Sequence, residues 1–357
     1  MSIDFWDPHF HIWDITENTK SSHDFQQLFA PANKQIYSCY DYENDMQYKD
    51  HSFHHTGGAF IEAMSVCHID SFGSKYENFC INETSWASNE LKKSPKQYVL
   101  ISSAPLESPN LNKILSKLSN YPYVCGIRQI LNHNPSWPRN SVIGDLLDNE
   151  KWKNGFSKLG NYNFSFELQL NPNQYHKALN IIKDYPDTKV IINHLGTPKL
   201  DDIQKSKNLF WESMKKFSQY KKAAKLIQKL SEAPGIINHL GTPTLKDLVE
   251  RSEHYWQGIE TLASCGNVFM KISMLSYIMK DWEDSEIIND AVNRIIEIFG
   301  INNCFFASNF PVERNFGWDI NRLLDAFKNI ASNYNIDEIN KLFSVNAMSA
   351  YNVKIKP

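Results

Sequence analysis

Long apolar runs are missing from this sequence. None approaches the ~20 residues that a membrane-spanning helix needs, and residues 1–14 carry Asp, His and Trp in place of a basic start and an apolar stretch. A membrane partner is therefore not expected, and a cytoplasmic protein is. No sign of charge dominates either: 37 Lys and Arg stand against 40 Asp and Glu, a formal net charge of -3. That balance supplies no basic field to gather nucleic acid or an anionic bilayer, so a small molecule is the expected partner. Cysteine is sparse. Cys39, Cys67, Cys80, Cys125, Cys265 and Cys304 form no C-x-x-C pair, have no His at zinc-finger spacing and lie in no nucleophile motif, so they read as reduced structural thiols. No glycine-rich phosphate turn follows the first apolar run, and nothing points to a dinucleotide.

What is present is an ordinary globular composition, 42% hydrophobic and 22% charged. Short β-branched and apolar runs at 5–13, 58–65, 98–104, 124–131, 164–170, 189–195, 268–274 and 304–311 alternate with helix-like stretches. Two of these stretches, 173–185 before Pro186 and 286–299 before Gly300, end on standard stop residues. Alternating strands and crossover helices predict a parallel sheet. Eight such units predict an α/β fold of the (β/α)₈ TIM-barrel type, one domain over residues 1–357. One irregularity breaks the pattern: IINHLGTP occurs at 191–198 and again at 236–243, so His194 and His239 stand 45 residues apart. A barrel does not readily accept a ninth strand. Thr188, Lys189 and Val190 extend the first copy, whereas Pro234 and Gly235 shorten the second, so the first is expected in the wall. Residues 199–245 then form an insertion. In it Phe210, Met214, Phe217, Tyr220, Ala224, Ile227 and Leu230 recur at steps of three and four, the pattern of an amphipathic helix packed on the barrel, over its mouth or against another subunit. A homo-oligomer stays open.

Alternation along the first run places His9 and His11 on one face and Phe10 and Ile12 on the other. Two convergent imidazoles suit metal ligation or polarisation of a carbonyl. The same alternation selects Glu62, Arg128, Glu167 with Gln169, His194, Lys271 with Ser273, and Asn309. Most lie near strand C-terminal ends, where barrel active sites are built. Arg128 and Lys271 could instead neutralise Glu62 and Glu167 in buried pairs, and Ser273 and Gln169 could cap strand ends. As a set converging on one mouth they are hard to explain as structure alone, because unpaired buried charge is costly.

The segments DPHFHIWD, NETSW, GIRQIL, SFELQLNPNQ, INHLGTP, NVFMKIS, FASNFPVE and LFSVNAMSAYNV together resemble the amidohydrolase superfamily, and within it barrel hydrolases similar to pyrone-dicarboxylate and sugar-acid lactonases. The resemblance implies that His9, His11 and His194 are strand-end histidines, with His239 as the alternative to His194, and that Arg128 contacts substrate. Many relatives carry an Asp on strand eight where this chain has Asn309. An amide takes no proton from water. A branch reading SNFPVD shares the Asn, which implies a variant mechanism.

The expected reaction is hydrolysis of a lactone, ester or amide of a small anionic compound. Arg128 and Lys271 would hold a carboxylate, with Gln169 and Ser273 on the substrate side. The histidines, with or without a divalent ion such as Zn²⁺, would polarise the carbonyl, and Glu62 or Glu167 would activate water. A zinc-dependent decarboxylase and a non-catalytic binding barrel are the alternatives.

Overall fold

Each of the eight apolar runs contains a strand. The computed structural model describes residues 2–16, 34–63, 65, 73–135, 143–204 and 245–353. Strands β1 (Ile3–Phe10), β2 (Phe53–Ile61), β3 (Gln97–Ser103), β4 (Val124–Arg128), β5 (Ser165–Leu168), β6 (Val190–Ile192), β7 (Val268–Ile272) and β8 (Cys304–Phe306) lie side by side in chain order. Every pairing is parallel. The two ends of the sheet meet just beyond β8. Phe10 bridges Phe310, the His11 amide donates to the Phe310 carbonyl at 2.8 Å, and the Asn309 amide donates to the His9 carbonyl at 2.8 Å.

A helix follows each strand: α1 (Cys39–Asp45), α2 (Ser74–Leu91), α3 (Leu111–Leu118), α4 (Glu150–Phe156), α5 (Tyr175–Asp184), α6 (Leu245–Ala263), α7 (Glu286–Phe299) and α8 (Ile320–Ile330). The reasons are local. In α7 the Ser285 side chain accepts from the Ile288 amide, and Ile288, Ala291, Val292, Ile295, Ile296 and Phe299 form one buried stripe. Gly300, at φ +77°, ends it, a conformation open to glycine at little cost. The (β/α)₈ barrel predicted from the pattern is thus the observed fold.

Two apolar layers hold it. The larger lies between strands and helices and includes Phe5, Phe10, Leu100, Phe166, Val190 and Met270. The smaller fills the barrel interior with Trp6, Ala59, Ile61, Ile101, Ile191 and Phe305. Met348, within the helix Asn346–Ala350, and Tyr351, just after it, complete this inner layer, with the Tyr351 ring 5.7 Å from that of Trp6. This plug closes the N-terminal end and leaves the C-terminal mouth for chemistry.

The first IINHLGTP copy supplies β6, paired between β5 and β7. The second copy with His239, and the amphipathic stretch 210–230, lie outside the described residues. Among the described residues no helix is long and apolar enough to cross a membrane.

Candidate active site

The site begins with an irregularity in β1. The pairing of β1 with β2 shifts register between Asp7 and Phe10, the mark of a bulge. Trp6 faces the interior, so strict alternation would send His9 outward. The bulge changes the phase, and His9 and His11 turn inward while Phe10 joins the outer layer. Asp7 supports it: one carboxyl oxygen accepts from the His9 amide at 3.2 Å and the Ser308 amide at 2.9 Å. The other accepts from the Tyr42 hydroxyl at 2.8 Å and from the Ser308 hydroxyl. Burial outweighs these donors and pushes the Asp7 carboxyl up to about 6.

Three imidazoles from β1 and the end of β6 meet at the mouth. His9 Nε2 and His11 Nε2 are 3.2 Å apart, and the His9 and His194 ring centres are 4.6 Å apart. His11 Nδ1 lies 2.9 Å from the Ile61 carbonyl. A carbonyl only accepts, so Nδ1 carries the hydrogen and Nε2 keeps its lone pair. His194 Nδ1 is 2.8 Å from Ser273 Oγ. All three are held neutral. Burial is the first cause for each; Lys271 is the next for His9, and Arg128 the next for His11 and His194. For His11 the result is a pKa of about 3.

Below them lies an axis of buried polar groups. Lys271 Nζ donates to Glu167 Oε2 at 2.8 Å and lies 3.2 Å from His9 Nδ1. The Tyr351 hydroxyl donates to the other Glu167 oxygen. Burial, opposed by Glu167, brings the Lys271 ammonium down to about 8. Arg128 Nε donates to Glu62 Oε1 at 2.7 Å, Nη2 donates to the Glu62 carbonyl, and Nη1 to Gln169 Oε1 at 3.3 Å. Both cations and both carboxylates are therefore paired within the barrel, the arrangement that the sequence offered as an alternative to substrate binding. Asn309 is drawn into the same layer, donating from Nδ2 to Glu313 Oε1 at 3.2 Å.

A cleft of about 1120 Å³ opens beside this cluster, walled by His194, Gln169, Asn171, His133, Met274 and Tyr277 among the described residues. Backbone strain is stored at the barrel mouth. His194, Met274 and Asn309, just past the ends of β6, β7 and β8, have φ of +55°, +57° and +55°. Such positions cost a non-glycine residue of order 1–3 kcal/mol and gather at working sites.

A divalent ion fits this donor set only in part. The 3.2 Å between the two Nε2 atoms is close to the edge of a tetrahedron with zinc–nitrogen bonds of about 2.0–2.1 Å. The rest argues the other way: Glu62 and Glu167 are committed to Arg128 and Lys271, the strand-eight position is an amide, and two cations stand close by. Among the described residues no group of three or more His, Cys, Asp and Glu side chains could hold a metal ion. The contacts close without an ion. Lys271 donates to His9 Nδ1, His9 Nε2–H to His11 Nε2, and His11 Nδ1–H to Ile61. His9 Nδ1 has one lone pair, so Lys271 and the Asn193 amide, whose oxygen lies 3.1 Å away, compete for the same atom.

All the histidines named from the sequence that fall in the described residues come together here, with Glu62, Arg128, Glu167, Gln169, Lys271, Ser273 and Asn309 around them. Asp7, Asn193, Glu313 and Tyr351 were not named. Each lies inside a motif quoted for the family resemblance, which was the available signal.

Residues 218–353 match the family model described as Amidohydrolase. A protein of Sinorhizobium fredii, y4mH, described as uncharacterized, is 25% identical over 97% of this chain and 98% of its own length. Among solved structures, an amidohydrolase from Burkholderia multivorans with bound zinc superposes with a TM-score of 0.66 at 13% identity, covering 99% of this chain and 100% of that one. A probable 2-pyrone-4,6-dicarboxylic acid hydrolase from Acinetobacter baumannii, with citric acid bound, gives 0.60 at 14% over 99% and 100%. A 2,6-dihydroxybenzoate decarboxylase from Rhizobium gives 0.59 at 11% over 99% of both chains. The structural likenesses, at such identities, bear on the fold. Over residues 218–353 the family model bears out the resemblance to the amidohydrolase superfamily, and the neighbours that share the fold include both hydrolases and decarboxylases.

Proposed function

We propose that the protein is a hydrolase that opens a lactone, ester or amide bond of a small anionic compound at the His9–His11–His194 cluster. The observation that carries this reading is the meeting of three uncharged imidazoles at the strand ends, one of which, His194, walls the cleft. A neutral imidazole can take a proton from water. With Nδ1–H donating to Ser273 Oγ, His194 keeps the Nε2 lone pair for that task. Glu62 and Glu167 are occupied by their partners and are displaced as water activators in this reading.

The steps balance. Water oxygen bonds to the acyl carbon as a water proton moves to His194. The carbonyl electrons shift to oxygen and return as the bond to the leaving oxygen or nitrogen breaks, and the His194 proton goes to that leaving atom. The buried Lys271 and Arg128 that disfavour charge on the imidazoles also favour an oxyanion forming near them, since both effects are one positive potential acting on opposite charges. A substrate carboxylate meets Gln169 at the cleft wall, whose side-chain oxygen accepts from the buried Arg128 behind it.

The test is a panel of lactones and esters assayed with His194→Ala and His239→Ala side by side. His194→Ala is expected to lower kcat by about 10²–10⁴, the usual worth of a positioned acid–base group, while His239→Ala keeps turnover. Loss of activity in His239→Ala alone would sink the assignment.

A zinc-dependent decarboxylase is the second reading, supported by the spacing of the two Nε2 atoms and by the zinc and decarboxylase neighbours. Stoichiometric zinc by elemental analysis, with carbon dioxide released from aromatic acids only by the loaded protein, would replace the first reading with this one.

A further inference from the structure

Asn309 stands where the barrel mouth lacks a carboxylate, and its amide is not free to turn. Its backbone is locked by φ +55° and by the bond from its amide to the His9 carbonyl. Its side-chain nitrogen donates to Glu313, whose second oxygen accepts from the Ser276 hydroxyl. Glu313 is 1% exposed and forms no ion pair among the described residues. The neighbouring Arg314 is turned to Asp45. The groups facing the Glu313 carboxyl are thus Ser276 and Asn309, and the Asn309 backbone in turn borders the first-strand histidines through its bond to the His9 carbonyl.

An amide has one donor end and one acceptor end. With its nitrogen committed to Glu313, Asn309 keeps its oxygen as the end left to accept from a donor such as water. We propose that Glu313 is a positioning residue of this site: by accepting from Asn309 Nδ2 it fixes which end of the amide is left to accept, placing an oriented acceptor at the end of β8. The catalytic consequence rests on the hydrolase reading; the orientation does not. The geometry also implies a reversal. A protonated Glu313 would donate to the amide oxygen and favour the flipped amide, and burial has pushed this carboxyl up to about 7.

The orientation can be read from the side-chain amide resonances of the full-length protein with ¹⁵N-labelled asparagine. The Asn309 pair is assigned by its disappearance in Asn309→Asp. In the wild type one Asn309 Nδ2 proton is expected downfield, as befits a donor to a carboxylate, moving upfield in a single step as pH is lowered from about 8.5 to 5.5. In Glu313→Gln the downfield shift and the step are both expected to vanish. An Asn309 signal indifferent to pH and to Glu313→Gln overturns the proposal, and the wild-type titration decides alone if the variant does not fold. On a substrate from the panel, Glu313→Gln is expected to lower kcat about tenfold or more with little change in KM; an unchanged kcat also overturns it. If no lactone or ester is turned over, the hydrolase reading fails while the amide resonance still decides this one.

Discussion

Lys271 and Glu167 are wholly buried and 2.8 Å apart, and each lies where a lone charge would not be tolerated. Such a pair is weak evidence for stability as a pair, but removing one member leaves the other uncompensated. Lys271→Met is accordingly expected to lower the unfolding free energy by about 3–5 kcal/mol in a urea titration, and adding Glu167→Leu to recover most of that. A loss below about 1 kcal/mol in the single variant would show that Glu167 finds another partner. Strand alternation was enough to turn both residues inward. It could not decide between holding a substrate and neutralising each other, because that depends on side-chain reach across the barrel. The hydroxyl of Tyr351, 184 positions away from Glu167, was beyond any local pattern. Glu313 escaped for a related reason: a carboxylate four residues after Asn309 in an irregular segment carries no periodicity.

At the scale of elements, β1 is where local rules gave a right answer for an incomplete reason. Placing His9 and His11 on one face follows from their spacing; having that face look inward alongside Trp6 requires the bulge. Gly58 lies against it. A Cβ there would come 2.3 Å from the Asp7 carbonyl oxygen and 3.2 Å from the Phe10 ring, and neither the backbone nor the packed ring can yield easily. Gly58→Ala should therefore destabilise by about 1–3 kcal/mol, and in the same variant the His9 ring resonances should shift more than those of His55 farther back along β2. Unchanged His9 resonances would mean that the bulge is set by something other than this contact. The eight strands themselves were legible because their runs are short, apolar and bounded by stop residues. The duplicated IINHLGTP was harder, since two identical octapeptides have identical propensities and only their flanks differ.

For the molecule as a whole, the buried site makes acid a denaturant. His9, His11, His55 and His194 all have folded-state pKa values depressed below the usual histidine value, mainly by burial. Their contribution is present above about pH 6.5 and is lost as pH falls, because the unfolded chain takes up protons that the folded one refuses. Asp7 and Glu313, raised to about 6 and about 7, act with the opposite sign over the same range. Four histidines against two carboxyls leave more protons on the unfolded chain than on the folded one, so stability falls as pH drops below about 6.5. Urea midpoints should fall below that pH. A flat profile would mean that the histidines titrate in the folded state and are not sealed.

The seam between β1 and β8 has one more implication. His9 and Asn309 come from the first and last staves and are tied to each other across the join, so a chain that has not yet coiled into a ring has no centre at all. Competence and circular completion arrive in the same event, and an intermediate lacking only that final suture would hold its ingredients apart and do no chemistry.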